Sequence, residues 1–214
     1  MIPIPELENK CHQFIDGLRL TDSAHDTAHT VRVVANAKQL LETESADSKI
    51  VISAAWLHDC VVLPKNHPDR RRASILAADK AIEFLQSVNF PGHKLKAVHH
   101  AVAAHSFSAN IKPETPEAEI VQDADRLDAL GAIGIARCLL TGGNLQRSLY
   151  HEKDPFCNYR KPDDSAWTID HFYTKLFKLP NLMNTESAQK EALKRVEFMQ
   201  TYLNVLRKEI RNPD

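Results

Sequence analysis

The sequence predicts an all-α fold, because helical periodicity runs through most of the chain and strand patterns are nearly absent. In several windows the apolar residues recur three and four positions apart, which is the spacing of one helix face. The 214 residues are also enough to bury a substantial core in one domain. We therefore expect a single-domain helical bundle over residues 1–214 with a long C-terminal helix.

Four helices are predicted in the first half of the chain. The first, from Pro5 to Leu20, carries apolar residues at helical spacing that should face the core. A second is predicted from Asp26 to Leu41, and a third from Asp47 to His58, which is apolar almost throughout and therefore buried. The fourth begins at Pro68 and ends before Pro91-Gly92.

The second half of the chain predicts further helices over His93 to His105, over Glu117 to Leu140 with Gly142-Gly143 as its end, and over Ile169 to Leu179. Near the C-terminus, apolar residues alternate in steps of four and three: Ala192, Val196, Met199, Leu203, Leu206 and Ile210. We interpret this stripe as facing the core, with a coiled-coil seam as the alternative. Gly131 and Gly134 are interpreted as close helix packing rather than nucleotide binding.

Between Asn144 and Trp167 the chain is polar and aromatic, without a clear period. Loops of this length without regular structure are uncommon in compact domains and are often lids or binding loops. A surface excursion with no role is the alternative.

Composition argues against several classes of protein. There are 27 basic and 28 acidic residues and no basic block of five, so a nucleic-acid partner is not expected. No apolar run reaches the roughly 18 residues that would cross a membrane, and no signal-peptide pattern is seen. The four cysteines lack CxxC spacing, which fits a reducing compartment. We expect a soluble cytoplasmic protein, monomeric or homodimeric.

The dipeptide His58-Asp59 is the most informative feature of the chain. It closes an apolar stretch in which two polar side chains need partners, since burying even a neutral polar group unpaired costs roughly 2 to 7 kcal/mol. A divalent cation would neutralise the carboxylate. With His29 upstream and Asp125 downstream, two His and two Asp are available for one ion such as Mn, Fe, Co, Ni, Zn or Mg.

This ordered set resembles the HD-domain phosphohydrolase superfamily. The residues that carry the resemblance are His29, His58-Asp59, and Asp125 within Asp-Ala-Asp-Arg-Leu-Asp-Ala. The likeness extends through Gly131 to Arg137 and His171 to Leu176, to a branch of small stand-alone bacterial HD hydrolases. It implies an HD-type helical bundle with an HD core over about 22–130 and a C-terminal helical extension over about 144–214. It also implies that His29, His58, Asp59 and Asp125 hold one divalent metal ion.

Several residues near these ligands are candidates for catalysis and substrate binding. A bound ion would lower the pKa of its water toward about 7, and Asp59 would orient that water. The predicted substrate contacts are Lys65, His67, Arg70 and Arg126, with Lys65 also counted as catalytic and with exposure to solvent as the alternative for Lys65 and Arg70. Pro68 would place an anion-attracting helix N-terminus close by.

Other histidines and aspartates of the chain lie outside this set of metal ligands. His99, His100 and His105 do not share an obvious helix face, so a second metal is the less favoured interpretation. His105 is predicted to be a general acid or a phosphate donor. Asp128 is interpreted as an acceptor that holds a ligand or Arg126, and Asp123 as a residue of the helix terminus or solvent.

The resemblance implies hydrolysis of a soluble phosphate ester or anhydride, with a nucleotide as the favoured substrate and a nucleoside triphosphate cleaved to monophosphate and pyrophosphate as one form. Alarmone hydrolases carry an acidic pair after His-Asp, where this chain has Cys60-Val61-Val62-Leu63, and cyclic-dinucleotide phosphodiesterases carry a Gly-Tyr-Pro signature that this chain lacks. The alternatives are a non-catalytic metal- and nucleotide-binding sensor, and a di-iron oxygenase that would need ligands from the His99 to His105 group.

Overall fold

The computed structural model describes residues 2–18, 27–63, 67–106 and 109–210. Within these ranges the backbone forms nine α-helices and no β-strand, and its one isolated bridge joins Ser148 to Trp167. The helices are α1 (Ile4–Gly17), α2 (Thr27–Leu40), α3 (Ser48–Leu57), α4 (Ala73–Ser87), α5 (Leu95–Ala104), α6 (Pro116–Asp128), α7 (Gly131–Asn144), α8 (Asp170–Thr174) and α9 (Glu186–Glu209). The prediction of an all-α fold with a long C-terminal helix is confirmed.

The helices belong to two compact units, Met1–Asp125 and Arg126–Asp214, which are described separately. The organisation as one domain, with the predicted boundaries of its HD core and extension, stays a prediction. Among the described helices, none combines the length and the apolar character that a bilayer-spanning segment needs.

In the first unit, α3 is the central element. It packs against α1, α2, α4 and α5, and all its residues from Ile50 to Leu57 are buried. The helix begins after Asp47, whose carboxylate accepts hydrogen bonds from the N–H groups of Lys49 and Ile50. Its continuous apolar sequence follows from this position, because every face of the helix meets another helix.

The second unit is built on α7, α9 and the 3-10 segment Leu176–Leu182. The predicted core stripe of α9 is confirmed at Ala192, Val196, Met199 and Leu203, which are buried, whereas Leu206 and Ile210 are partly exposed. The segment after α7 is organised by two buried carboxylates. Asp154 accepts three backbone N–H groups, from residues 158 to 160, and Asp170 forms a two-pronged ion pair with Arg160 at 2.5 and 2.7 Å.

One predicted helix, Glu117 to Leu140, is wrong because the structure forms two. Between α6 and α7 Leu130 adopts an extended conformation, and Gly131 has a φ of +72°, which residues with a Cβ rarely adopt. Gly134 shows the expected close packing, but against the preceding turn. A Cβ added there would lie 2.2 Å from the carbonyl oxygen of Ala129.

Three predicted helix ends are also wrong. Helix α7 continues through Gly142-Gly143 to Asn144. Gly142 is small because it lies against Thr168, where a Cβ would stand 2.2 Å from the hydroxyl oxygen, and not because the helix ends there. Pro68 lies in a turn rather than in a helical first turn, and α4 begins only at Ala73, after a 3-10 turn. The helix expected over residues 169–179 is interrupted at Lys175, whose φ of −132° is not helical.

Candidate metal centre

His29 lies on the core-facing side of α2. The buried residues of this helix recur at helical spacing and include Val33, Asn36 and Leu40 along the same side as His29. His29 is 1% exposed. An imidazole on such a stripe lies among helices, where an ionic or hydrogen-bonding partner is needed.

Two further histidines stand at the C-terminal ends of helices. His58 follows the last residue of α3, and His105 follows the last residue of α5. Each ring lies with Nδ1 against the carbonyl oxygen three residues back, at 2.8 Å for Ala55 and 2.7 Å for Val102. Because a carbonyl oxygen only accepts, Nδ1 carries the proton, and Nε2 of the neutral ring keeps a lone pair. Each side chain thereby bonds to a carbonyl of the last turn of its helix, and the carbonyl of Val102 also accepts the N–H of His105.

The Nε2 atoms of these rings meet two carboxylates. Nε2 of His58 lies 3.2 Å from Nε2 of His29 and 3.5 Å from Oδ2 of Asp59. Oδ1 of Asp125, on α6, lies 3.4 Å from Nε2 of His29. The second oxygen of Asp59, Oδ1, lies 3.3 Å from Nε2 of His105. Asp59 therefore faces the histidine pair with one oxygen and His105 with the other.

The surroundings set the charge of these groups. Burial lowers the pKa of His58 to about 4, and the nearby histidines act in the same direction. Burial also opposes a charge on His105, but the hydrogen bond and negative charge of Asp59 raise its pKa overall. Burial disfavours ionised Asp125, yet its hydrogen bond with His29 and the charges of the histidines hold its pKa well below the usual range. His58 is thus a neutral imidazole and Asp125 an anion at neutral pH.

These donor atoms fit a divalent cation. Nε2 of neutral His58 and Oδ2 of Asp59 are both acceptors and lie 3.5 Å apart, so a cation between them would satisfy both. Two ligand atoms about 2.1 Å from one ion would stand roughly 3.0 to 3.4 Å apart. His29, His58 and Asp125 each offer one atom within 4.8 Å of the others, and so do His58, Asp59 and His105. Imidazole nitrogen and carboxylate oxygen suit Mn, Fe, Co, Ni, Zn or Mg.

Comparison with known proteins identifies the family. A family model of the HD domain matches residues 27–130. The crystal structure of an HD-superfamily hydrolase from Bacillus thuringiensis is 33% identical, with a TM-score of 0.74, over 96% of this chain and 97% of that one. The chain belongs to the HD-domain phosphohydrolase superfamily.

A second relative is YpgQ of Bacillus subtilis. It is 36% identical in an alignment of 199 residues that covers 89% of this chain and 88% of YpgQ. A crystal structure of YpgQ in complex with ADP aligns with a TM-score of 0.73 at 32% identity, covering 95% of this chain and 100% of that one.

The other candidates around the HD pair have different partners. Nε2 of His99 lies 3.0 Å from Oδ1 of Asp79, and Nε2 of His100 accepts a hydrogen bond from the N–H of Glu114. Within the described part of the chain, His105 is the one member of the second histidine group that joins the HD cluster. Its separation from the other two follows from helix geometry, because positions 99, 100 and 105 point in different directions around α5.

One prediction for the aspartates of α6 needs correction. Asp123 is fully buried, because the face of α6 that it shares with Ile120 and Leu127 lies in the core, so it serves neither solvent nor a helix terminus. Asp128 is buried too, and its Oδ2 lies 2.6 Å from the guanidinium of Arg137 on α7. This ion pair is one contact of Asp128, and its predicted role of holding a ligand or Arg126 stays a prediction.

The predicted substrate contacts have varied positions. Lys65 lies outside the described residues. Nδ1 of His67 accepts a hydrogen bond from the N–H of Asp69, and the guanidinium of Arg70 donates to the carbonyl of Leu63. Neither side chain forms a hydrogen bond or ion pair with the HD cluster within the described ranges. Arg126 donates to the carbonyl of Leu182, so its role toward a substrate stays a prediction, as do those of the other three.

Sequence reasoning missed two buried amides that support the cluster. Nδ2 of Asn36 on α2 donates to the carbonyl of Ala124, the residue before Asp125, at 3.0 Å. Nε2 of Gln122 on α6 donates to the carbonyl of Ala104, the residue before His105, at 2.7 Å. The available signal was Asn36 itself, a polar residue seven positions after His29 on an otherwise apolar side of the helix.

Proposed function

We propose that this chain is a metal-dependent phosphohydrolase acting on a soluble phosphate ester or anhydride, with a nucleotide as the favoured substrate. The observation that carries the proposal is the convergence of Nε2 of His29, Nε2 of His58 and carboxylate oxygens of Asp59 and Asp125. Four pairs of these atoms, three of which include His29, are 3.2 to 3.8 Å apart. The ADP complex of YpgQ supports the nucleotide class.

In this proposal His29, His58, Asp59 and Asp125 hold one divalent ion. When bound, the ion supplies Lewis-acid activation of water and of the phosphoryl oxygen. The residue that we propose as proton donor is His105. Oδ1 of Asp59 favours a proton on Nε2 of His105, and the ring can donate it to the leaving oxygen as that oxygen gains charge. Nδ1, bonded to Val102, keeps the ring in position.

The test incubates protein reconstituted with Mn or Co with a panel of nucleotides and phosphodiesters, and measures the release of phosphate and pyrophosphate. Asp59→Ala and Asp125→Ala should abolish turnover while the helical circular dichroism spectrum remains. Asp79→Ala is the matched control, because Asp79 also pairs with a histidine of the same unit but at the surface. It should retain activity. If metal-loaded protein hydrolyses nothing in the panel, the proposal is wrong.

Two outcomes would redirect the proposal. Nucleotide binding that depends on Asp125 but proceeds without turnover would indicate the sensor. Two irons per chain by elemental analysis would indicate the oxygenase, although His99 and His100 have other partners. One ion per chain agrees with the hydrolase.

A further inference from the structure

A second cluster of charged side chains lies in the unit Arg126–Asp214, around α8. Nδ1 of His171 lies 2.6 Å from Oδ2 of Asp164, and both side chains are partly exposed. The backbone N–H of Lys175 bonds to the carbonyl of His171, so Lys175 follows one turn later. His171 and Lys175 belong to the motif from His171 to Leu176, to which the proposed metal centre gives no role.

Arg147 joins this cluster from the preceding segment. The N–H groups of Thr168 and Ile169 bond to the carbonyls of Ser148 and Leu149, which brings residues 147–149 alongside the start of α8. The positive charge of Arg147 acts on both Asp164 and His171. Its side chain is half-buried, and within the described ranges the guanidinium has no hydrogen-bond or ion-pair partner. A half-buried guanidinium without an acceptor in the described chain is available to an anionic ligand.

The charge of the cluster is unbalanced. Arg147 and Lys175 are cations, whereas Asp164 is the one anion seen to pair with His171. Burial first, and then the charges of Lys175 and Arg147, lower the pKa of His171 despite the carboxylate beside it. The ring is therefore neutral at pH 7 with its Nδ1 proton directed at Asp164, and Nε2 is left to take up a proton when an anion arrives.

We infer that Arg147, His171 and Lys175 form a binding site for a phosphate-type oxyanion, with Asp164 orienting the imidazole. A guanidinium fork, an ammonium and an imidazole are donors that suit the several acceptor oxygens of a tetrahedral anion. The anion is free phosphate or the phosphate group of a larger ligand, which share this chemistry. The site consists of residues of one unit and does not depend on the proposed hydrolase activity.

The test is NMR of the histidine side chains in the full chain during titration with inorganic phosphate, at constant ionic strength set with chloride. His171→Gln assigns the signal. Phosphate should shift the His171 signal in a saturable way and raise the pKa of the ring, a response that a purely structural residue would not give. Arg147→Gln and Lys175→Gln should each weaken binding by about tenfold. Lys178→Gln, which removes an exposed lysine three residues further on, should bind like the parent protein.

A titration with pyrophosphate separates the two sources of the anion. Tighter binding than that of phosphate supports a larger phosphorylated ligand, and equal binding supports free phosphate. Asp125→Ala should keep the His171 response, so failure of the metal centre and failure of this site are distinguishable. The inference is overturned if the His171 signal does not move, or if Arg147→Gln and Lys175→Gln bind phosphate as Lys178→Gln does.

Discussion

Single hydrogen bonds decide what the histidines of the metal centre can offer. Because Nδ1 of His58 and of His105 each bonds to a carbonyl of its own helix end, the second nitrogen of each ring is directed at Asp59. A helix C-terminus thus selects the tautomer that a metal ligand or a proton donor needs. The dipeptide His58-Asp59 is informative because it stands at that terminus.

Asn36 is expected to contribute to stability and to the position of Asp125. Asn36→Ala leaves the carbonyl of Ala124 without this amide donor and should lower the free energy of unfolding by about 1 to 3 kcal/mol. Urea denaturation measures the change. Asn9→Ala, at an exposed position of α1, is the control and should stay within about 0.5 kcal/mol of the parent protein. Equal effects of the two changes would contradict the supporting role of Asn36.

Among the helices, α3 depends on its N-cap. Asp47→Ala should lower the free energy of unfolding by about 1 kcal/mol, because two N–H groups lose their acceptor. Asp47→Asn keeps an acceptor and should cost less, since only the ion pair with Lys94 is lost. Chemical denaturation at neutral pH compares the three proteins.

The stabilisation by Asp47 should also depend on pH. Burial opposes its charge, but Lys94 and the N–H groups of Ile50 and Lys49 lower the pKa of Asp47 in the folded protein. Its contribution is therefore complete above the unfolded-state pKa of about 3.9 and is lost as the pH falls through the lower folded value. The difference in stability between the parent protein and Asp47→Asn should shrink at acidic pH. A constant difference would contradict this account.

Two adjacent glycines of α7 make a matched comparison. Gly142→Ala would place a Cβ 2.2 Å from Oγ1 of Thr168, whereas Gly143→Ala meets nothing within 4 Å. The first change should lower the free energy of unfolding by about 1 to 3 kcal/mol through overpacking. The second should be neutral or should stabilise by up to about 1 kcal/mol, since Ala favours helix. Thermal unfolding distinguishes them, and a stable Gly142→Ala would show that Thr168 yields easily.

For the molecule as a whole, the proposed ligands connect distant parts of the chain. His29, His58-Asp59 and Asp125 come from α2, the end of α3 and α6. An ion bound by all of them binds the folded state and not the unfolded chain, so its binding energy stabilises the fold. Stability in this unit should therefore respond to metal even when no substrate is present.

Metal loading should raise the melting temperature. At roughly 100 times the dissociation constant of Mn or Co, the gain is about 2.7 kcal/mol, or roughly 5 to 10 °C. Differential scanning calorimetry with and without the ion measures it. Asp125→Ala should lose the shift and Asp79→Ala should keep it, because Asp79 lies outside the cluster. A shift that survives in Asp125→Ala would mean that the ion binds elsewhere.

The sequence was sufficient wherever the decisive pattern is local or chemically distinctive. Helical periodicity predicted α2, α3 and α9, and the polar pair at the end of an apolar helix pointed to a metal centre. Periodicity failed at the break between α6 and α7, because the turn depends on the positive φ of Gly131, which the spacing of apolar residues does not encode. The end of α7 was mistaken for the same reason, since Gly142 is small to accommodate Thr168 and not to end a helix.

The residue types of His29, His58, Asp59 and Asp125 were determined by the sequence alone, since the chemistry of a ligand belongs to the side chain. Only the tertiary structure decided which other residues join or support them. The sequence favoured His105 over His99 and His100, but the contact of His105 with Asp59 follows from the packing of α3 and α5 within the described chain. Likewise the hydrogen bonds of Asn36 and Gln122 join residues 88 and 18 positions apart, which no local pattern encodes.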